Sequence, residues 1–321
     1  MFDRWLDTAS TVLGVFLVMA VGGVARHRQW FSSEVDRSLA SFTSYVLMPC
    51  LFFHRIIQDR ALTPTLDAWY PAVVGFACTG LSILIAVGVA KFFGRSFGLE
   101  NDSHRRTFGL TAGIDNYGYI PLPLADVFFP GCMVALMVHN VGVDLALWSV
   151  GLYTISGKGL SKSWKRIVFS PPLLAVCLAV LLKWLGWSDS VPRAIIQVTE
   201  KLGRCSVPIG LVLSGAILYD YGSKIKWGRA GRVLGLAIVV RMLLLPWICL
   251  AVAAWGTSSI ELKQVLLLQA AMPAATFPIV MTRLYNQDVE TAWTVVVGTS
   301  ILSFFTIPLW MVFGGDWLAL G

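Results

Sequence analysis

The chain has 321 residues, of which 56% are hydrophobic and 13% charged, with a mean hydropathy of +0.72. A soluble domain carries about 25% charged residues, so these figures argue against a water-soluble enzyme, a disordered chain or a disulfide scaffold. The net charge of +7 reads as Lys and Arg retained beside a membrane rather than as a nucleic-acid surface.

A spanning helix takes about 20 apolar residues. Ten apolar runs follow one another, at 9–25, 38–57, 68–93, 107–129, 132–156, 167–186, 196–219, 231–255, 264–284 and 290–314. The connections are short and leave no room for a soluble domain. The first run follows MFDRWLDTAS, which mixes acid and base and leads to no small-residue cleavage site. A retained first helix is therefore expected, not a signal peptide. The six cysteines (Cys50, Cys78, Cys132, Cys177, Cys205, Cys249) sit in apolar stretches without CxxC spacing. They read as small core- or lipid-facing residues, not as disulfides or metal ligands. Sixteen Lys and Arg fall in the odd-numbered connections and six on the opposite side. That bias puts the odd-numbered connections in the cytoplasm and both termini outside. A missed span would scramble the alternation, so it supports ten.

The second run, SYVLMPCLFFHRII, and the seventh, CSVPIGLVLSGAIL, each carry a central proline, Pro49 and Pro208. The fourth, NYGYIPLPLADVFFP, carries Pro121 and Pro123, and the ninth, QAAMPAATFPIV, carries Pro273 and Pro278. Pro49 and Pro208 are 159 residues apart and Pro123 and Pro273 are 150 apart, close to half the chain in both cases. Five is odd, so two related five-helix halves, 1–160 and 161–321, would insert with opposite topology. An inverted repeat is expected.

One proline inside a helix costs about 3 kcal/mol and usually produces a kink, the reading for Pro171, Pro246 and Pro308. Runs four and nine each hold two within six residues, with Gly118 beside the first pair. Unwound backbone is tolerated at membrane depth only where it lines a cavity or meets protein. Two matching breaks therefore predict one shared cavity at the midplane. The half-helix after each break presents free N–H groups and partial positive charge, suited to a carboxylate; two structural kinks are the alternative.

The stretch QAAMPAATFPIVMTRLYNQD resembles the ninth helix of the auxin efflux carrier family, which includes bacterial members and the plant PIN-FORMED exporters. NYGYIPLPL is similar to the family's fourth helix, with Asn116 at its Asn position and Pro123 at its crossing proline. YVLMPCLFFHRI, SPPLLAV and RMLLLP resemble the second, sixth and eighth helices, so the likeness covers essentially the whole chain. It implies an all-α membrane protein of ten transmembrane helices in two inverted five-helix repeats, with helices 4 and 9 broken and crossing. It further implies a scaffold domain (helices 1, 2, 6, 7), a transport domain (3–5, 8–10) and organic-anion substrates. The long cytoplasmic loop of the plant exporters has no counterpart, since residues 157–166 are a short basic link. Asp115 and Asp126 depart from the family's pattern.

Within that frame Asn116, Tyr119, Pro123, Pro273, Ala275 and Thr276 are the expected substrate-binding residues. Asn116 is placed a few residues before the fourth-helix break; its alternative role is an interhelical hydrogen bond. The N–H groups beyond Pro123 and Pro273 are expected to meet the substrate carboxylate. Asp115, Asp144 and Asp126 are candidates for proton or ion coupling, because ionisable groups in spans are costly and usually face a cavity. Asp126 could instead be solvated at the outer end of its helix. Arg241 cannot be neutral, so it either pairs with an aspartate or sets an anion-attracting potential. His54 reads as a capping or snorkelling residue, and the tryptophans near helix ends as interface anchors.

No nucleophile, nucleotide-binding, metal-binding or nucleic-acid motif interrupts the spans. The expectation is a non-enzymatic secondary transporter, without cofactor or metal, for a small organic anion such as an auxin-like carboxylate or a dicarboxylate. It would be a multi-pass plasma-membrane protein (the inner membrane if bacterial), working by alternating, elevator-like access, with a homodimer as its assembly. A sodium symporter of the bile-acid-carrier type and a ligand-binding membrane sensor are the alternatives.

Overall fold

The computed structural model describes residues 2–30, 32–59, 66–156, 171–222 and 227–320. The basic link at 157–166, Arg60, Lys224, Lys226 and the expected boundary at 160/161 lie outside the described residues. Among the described residues the regular structure is helical, apart from one isolated β-bridge.

The chain opens with α1 (Phe2–His27), then α2 (Ser33–Phe42) and α3 (Met48–Gln58) joined by a π-helical turn at Thr43–Leu47. Pro49 follows that wide turn and sits in the first turn of α3, where a missing N–H costs little. Next come α4 (Tyr70–Phe93), α5 (Asp102–Gly113) and α6 (Pro121–Phe128). After these, α7 (Met133–Ala146) continues through a second π-helical turn, Leu147–Gly151, into α8 (Leu152–Ser156).

The described second part begins with α9 (Pro171–Trp184) and α10 (Arg193–Gly222), the latter unbroken at Pro208. A third π-helical turn, Ile238–Leu244, joins α11 (Trp227–Ala237) to α12 (Leu245–Trp255). The chain closes with α13 (Ile260–Ala271), α14 (Phe277–Leu284) and α15 (Val289–Trp317), which passes through Pro308 without a break.

Among the described residues seven stretches are helical, long and apolar enough to cross a membrane: Trp5–His27, Glu34–Gln58, Asp67–Phe97, Pro130–Ser156, Arg193–Gly222, Gly228–Trp255 and Val289–Trp317. The predicted runs at 107–129 and 264–284 are instead divided, into α5 with α6 and α13 with α14. The sequence expectation put Asn116 before the first break, but it lies inside, because winding stops after Gly113 and resumes at Pro121. Proline has no N–H to lose at a first helical position and its φ is already helical, so Pro121 opens the half-helix instead of interrupting one.

Packing is closest where side chains are smallest. α1 lies along α10, and α3 packs against α9 and α10. A Cβ on Gly22 would stand 1.8 Å from the Val212 carbonyl oxygen, and one on Gly215 would stand 1.8 Å from that of Met19. In a second group α4 lies along α7 and α5, with Gly142 against the Ala72 carbonyl, while α15 packs on α5, α11 and α13 and also lies along α1 of the first group. Small residues let membrane helices approach to backbone contact, where dispersion replaces the missing hydrophobic drive. Leu17, Val73, Leu84, Phe305 and Leu309 point outward and stay exposed, as a lipid-facing surface requires. All six cysteines are free thiols.

Candidate functional site

Residues 114–120 and 272–276 leave helical winding and meet each other. The Asn116 N–H donates to the Pro273 carbonyl (2.8 Å) and the Ala275 N–H to the Ile114 carbonyl (3.0 Å), an antiparallel bridge centred on Asp115 and Ala274. A peptide group left unpaired in hydrocarbon costs several kcal/mol, and the neighbouring groups are accordingly bonded. The Ala274 N–H donates to Thr299 Oγ1 (3.2 Å), and the Tyr117 carbonyl accepts from Asn140 Nδ2 (2.8 Å). The Leu122 N–H donates to the Gly118 carbonyl at 3.2 Å.

Some of the amides expected to be free are already taken. The amides just beyond Pro273, those of Ala274 and Ala275, are already engaged within the protein. The first turn of α6 reads Pro121, Leu122, Pro123, so two of its residues lack an N–H and the third has used its own. Among the side chains, three polar groups are left to face a ligand. The carboxamide of Asn116, 6% exposed, and the hydroxyls of half-buried Tyr119 and Thr276 have no hydrogen-bond partner among the described residues.

The other expected residues divide by position. Pro273 and Ala275 are buried and supply main-chain groups to the bridge, while Pro123 is half-buried on α6. The Tyr119 ring lies on Gly210 of α10, where a Cβ would come within 2.0 Å of ring carbon Cε1. Asp144, partly exposed, accepts a hydrogen bond from the Tyr117 hydroxyl at 2.7 Å. Asp126 stands apart: its carboxylate is 52% exposed and forms an ion pair with Arg55 at 2.8 Å. It occupies the far turn of α6. Asp115 is buried in the bridge, with one carboxylate oxygen 3.8 Å from Nη1 of Arg241. Of the two roles weighed for Arg241, the pairing with an aspartate is the one seen.

Further polar side chains complete the site. Gln269, in the last turn of α13, donates through Nε2 to Asn140 Oδ1 (3.3 Å), and its main-chain carbonyl accepts from Arg241 Nη2 (3.4 Å). A chain of contacts thus runs from Asp144 through Tyr117, Asn140 and Gln269 to Arg241 and Asp115. A glutamine immediately before a predicted break was a usable signal, as was Asn140 one turn from Asp144. Thr299 offered none, because threonines in apolar helices ordinarily bond their own carbonyls.

A second ionic cluster lies at a helix end, remote in sequence from the breaks. Asp288 caps α15, accepting from the Thr291 N–H (3.1 Å) and from Arg229 Nη2 (2.7 Å), with His104 Nε2 at 3.7 Å. Burial alone would raise the Asp288 carboxyl. Hydrogen bonds from Thr291 and Arg229, with the nearby positive charge, outweigh it and hold the group below the usual carboxylate range.

A largely apolar bundle whose interrupted helices meet around buried polar side chains is the build of a multi-pass membrane transporter. The chain belongs to the membrane transport protein family, of auxin efflux carrier type, whose pattern it matches over residues 8–311. It is 26% identical over 320 residues to an uncharacterized transporter of Methanothermobacter thermautotrophicus, covering 96% of this chain and 99% of that one. It is 24% identical over 307 residues to the uncharacterized transporter MJ1031 of Methanocaldococcus jannaschii (93% and 96% covered). It is 20% identical over 318 residues to the uncharacterized transporter YfdV of Escherichia coli (94% and 95% covered). The family and these relatives are transporters, not enzymes.

Proposed function

We propose that this chain is a secondary transporter that carries a small organic anion, a mono- or dicarboxylate, by alternating access. The substrate binds where the two breaks pair, against the Asn116 carboxamide and the Tyr119 and Thr276 hydroxyls. The observation that carries this reading is the bridge itself. Two half-helix pairs from opposite parts of the chain meet through Asn116 and Ala275, beside a fully buried guanidinium. The N-terminal ends of α6 and α14 favour a negative guest.

Ten spans in two inverted five-helix repeats account for the elements: the seven continuous helical stretches, the two divided pairs and α9. The packing of α1 along α10, and of α3 on α9 and α10, supports a scaffold domain of helices 1, 2, 6 and 7. The remaining helices form the transport domain, which moves past it in an elevator-like or rocking stroke. Both termini face outward from a plasma membrane, and two copies assemble as a dimer. Asp144, partly exposed beside the Tyr117 hydroxyl, is the group placed to exchange a proton during the cycle.

Flux of labelled monocarboxylates and dicarboxylates into proteoliposomes tests the proposal. Asn116→Ala removes the carboxamide, and Pro273→Ala lets the break rewind. Each is expected to lower flux at least about tenfold, the loss that about 1.4 kcal/mol of binding or positioning accounts for. Ligand binding without flux, or unchanged flux in both variants, overturns it.

A further inference from the structure

Among the described residues Arg241 is the largest fully buried side chain, 1% exposed. It projects from the π-helical turn Ile238–Leu244, which Trp310 holds by donating Nε1 to the Met242 carbonyl at 2.9 Å. Its neighbours are oxygens from both interrupted runs. Nη1 stands 3.8 Å from Asp115 Oδ1, and Nη2 donates to the Gln269 carbonyl at 3.4 Å. These contacts are long for charge-assisted hydrogen bonds, which run about 2.7–2.9 Å. The guanidinium Nε and the second Asp115 oxygen are buried without any partner. A guanidinium built for geometric recognition would grip the carboxylate with both prongs. This one supplies charge without fitted geometry.

Without a cation at this position, the Asp115 carboxylate would be a buried uncompensated charge, costing several kcal/mol. A carboxylate and a main-chain carbonyl near the end of a helix are also the hard oxygen donors that hold alkali cations at unwound membrane helices. We infer that Arg241 is a tethered cation: its guanidinium fills the place beside Asp115 and the Gln269 carbonyl where a sodium ion would otherwise be held. The countercharge to Asp115 is then permanent, and the carrier draws on no coupling sodium ion. The consequence for transport rests on the carrier reading above, but the site itself can be tested with no substrate.

Thermal unfolding of the detergent-solubilised full chain is measured at pH 7.5 in NaCl and in choline chloride of equal ionic strength. The wild type is expected to differ by less than about 1 °C between the salts. Arg241→Gln vacates the position and keeps a polar side chain. It is expected to unfold earlier in choline and to gain at least about 3 °C in NaCl, as a ligand that binds only the folded state requires. Binding of labelled sodium should appear in Arg241→Gln and vanish in Asp115→Asn/Arg241→Gln. That double variant removes both charges and should be more stable in choline than the single one, with no response to sodium. If the single variant folds in neither salt while the double variant folds, sodium has failed to replace the guanidinium and the inference is overturned; failure of the double variant to recover folding refutes the charge compensation. Sodium-dependent stability in the wild type, or a folded Arg241→Gln indifferent to sodium, overturns the inference. Failed flux with these salt responses intact would count only against the carrier reading.

Discussion

Replacing Thr299 by Val deletes one hydroxyl and leaves the outline of the side chain almost unchanged. That hydroxyl is the acceptor for the Ala274 N–H at 3.2 Å, and both residues are 0% exposed. Its own proton goes to the Val295 carbonyl at 2.7 Å, an oxygen within the same helix, so losing that bond leaves little unsatisfied. The cost comes from the stranded Ala274 donor, about 1–3 kcal/mol for a buried group left without its partner. Thr111→Val is the matched control. Thr111 is equally buried, but its hydroxyl bonds only the Thr107 and Phe108 carbonyls of its own helix. That change should stay within about 0.6 kcal/mol, the average for a membrane-protein side-chain hydrogen bond. Reversible unfolding in mixed micelles titrated with sodium dodecyl sulfate gives both numbers. Equal stability of the two variants would show that the Ala274 amide does not depend on Thr299, and the bonding scheme drawn for the second break would fail.

Gly210→Val should push the Tyr119 ring from its place, because even a Cβ would lie 2.0 Å from ring carbon Cε1. Its midpoint should fall by several degrees, and adding Tyr119→Ala should restore part of the loss by thermal unfolding; no restoration would refute the contact. Asp126→Asn should change stability by less than about 1 kcal/mol, as expected for an exposed ion pair with Arg55, and leave the pH dependence of flux unaltered. Asp288→Asn should destabilise the protein at pH 7. Because the folded carboxyl is held low, its stabilisation is present above the ordinary value near pH 3.9. It is lost as pH falls through the lower folded value. The gap between wild type and variant, followed by unfolding from pH 7 to pH 3, should therefore close only below about pH 4.

The membrane class and the approximate runs were legible because hydropathy and length respond to the bilayer alone. The two interruptions were legible too, since paired prolines oppose winding wherever the chain folds. Their register was not. Pro121 proved a helix opener, and whether a proline breaks, kinks or starts a helix depends on where the preceding residues find partners. Pro208 and Pro308 lie inside continuous helices for the same reason. At the site, Asn116 and Asp115 stood out as polar residues in an apolar run. The contacts of Gln269 and Thr299 span well over a hundred and 25 residues respectively, and no spacing rule connects such positions. Of the amides expected to be free, those of Ala274 and Ala275 are taken by a neighbouring hydroxyl and a neighbouring carbonyl, both set by tertiary packing.

The bridge between Asn116 and Pro273 has a consequence for biosynthesis. Its first partner leaves the ribosome 157 residues before the second. Through that interval the Ile114 carbonyl and the Asn116 amide must wait in the translocon or at the lipid boundary, propped by water or by other proteins. The nascent amino-terminal half is thus an unfinished seam, closed only when its complement is inserted. Expressed alone it should be degraded rapidly, and the separately encoded carboxy-terminal half should extend its lifetime.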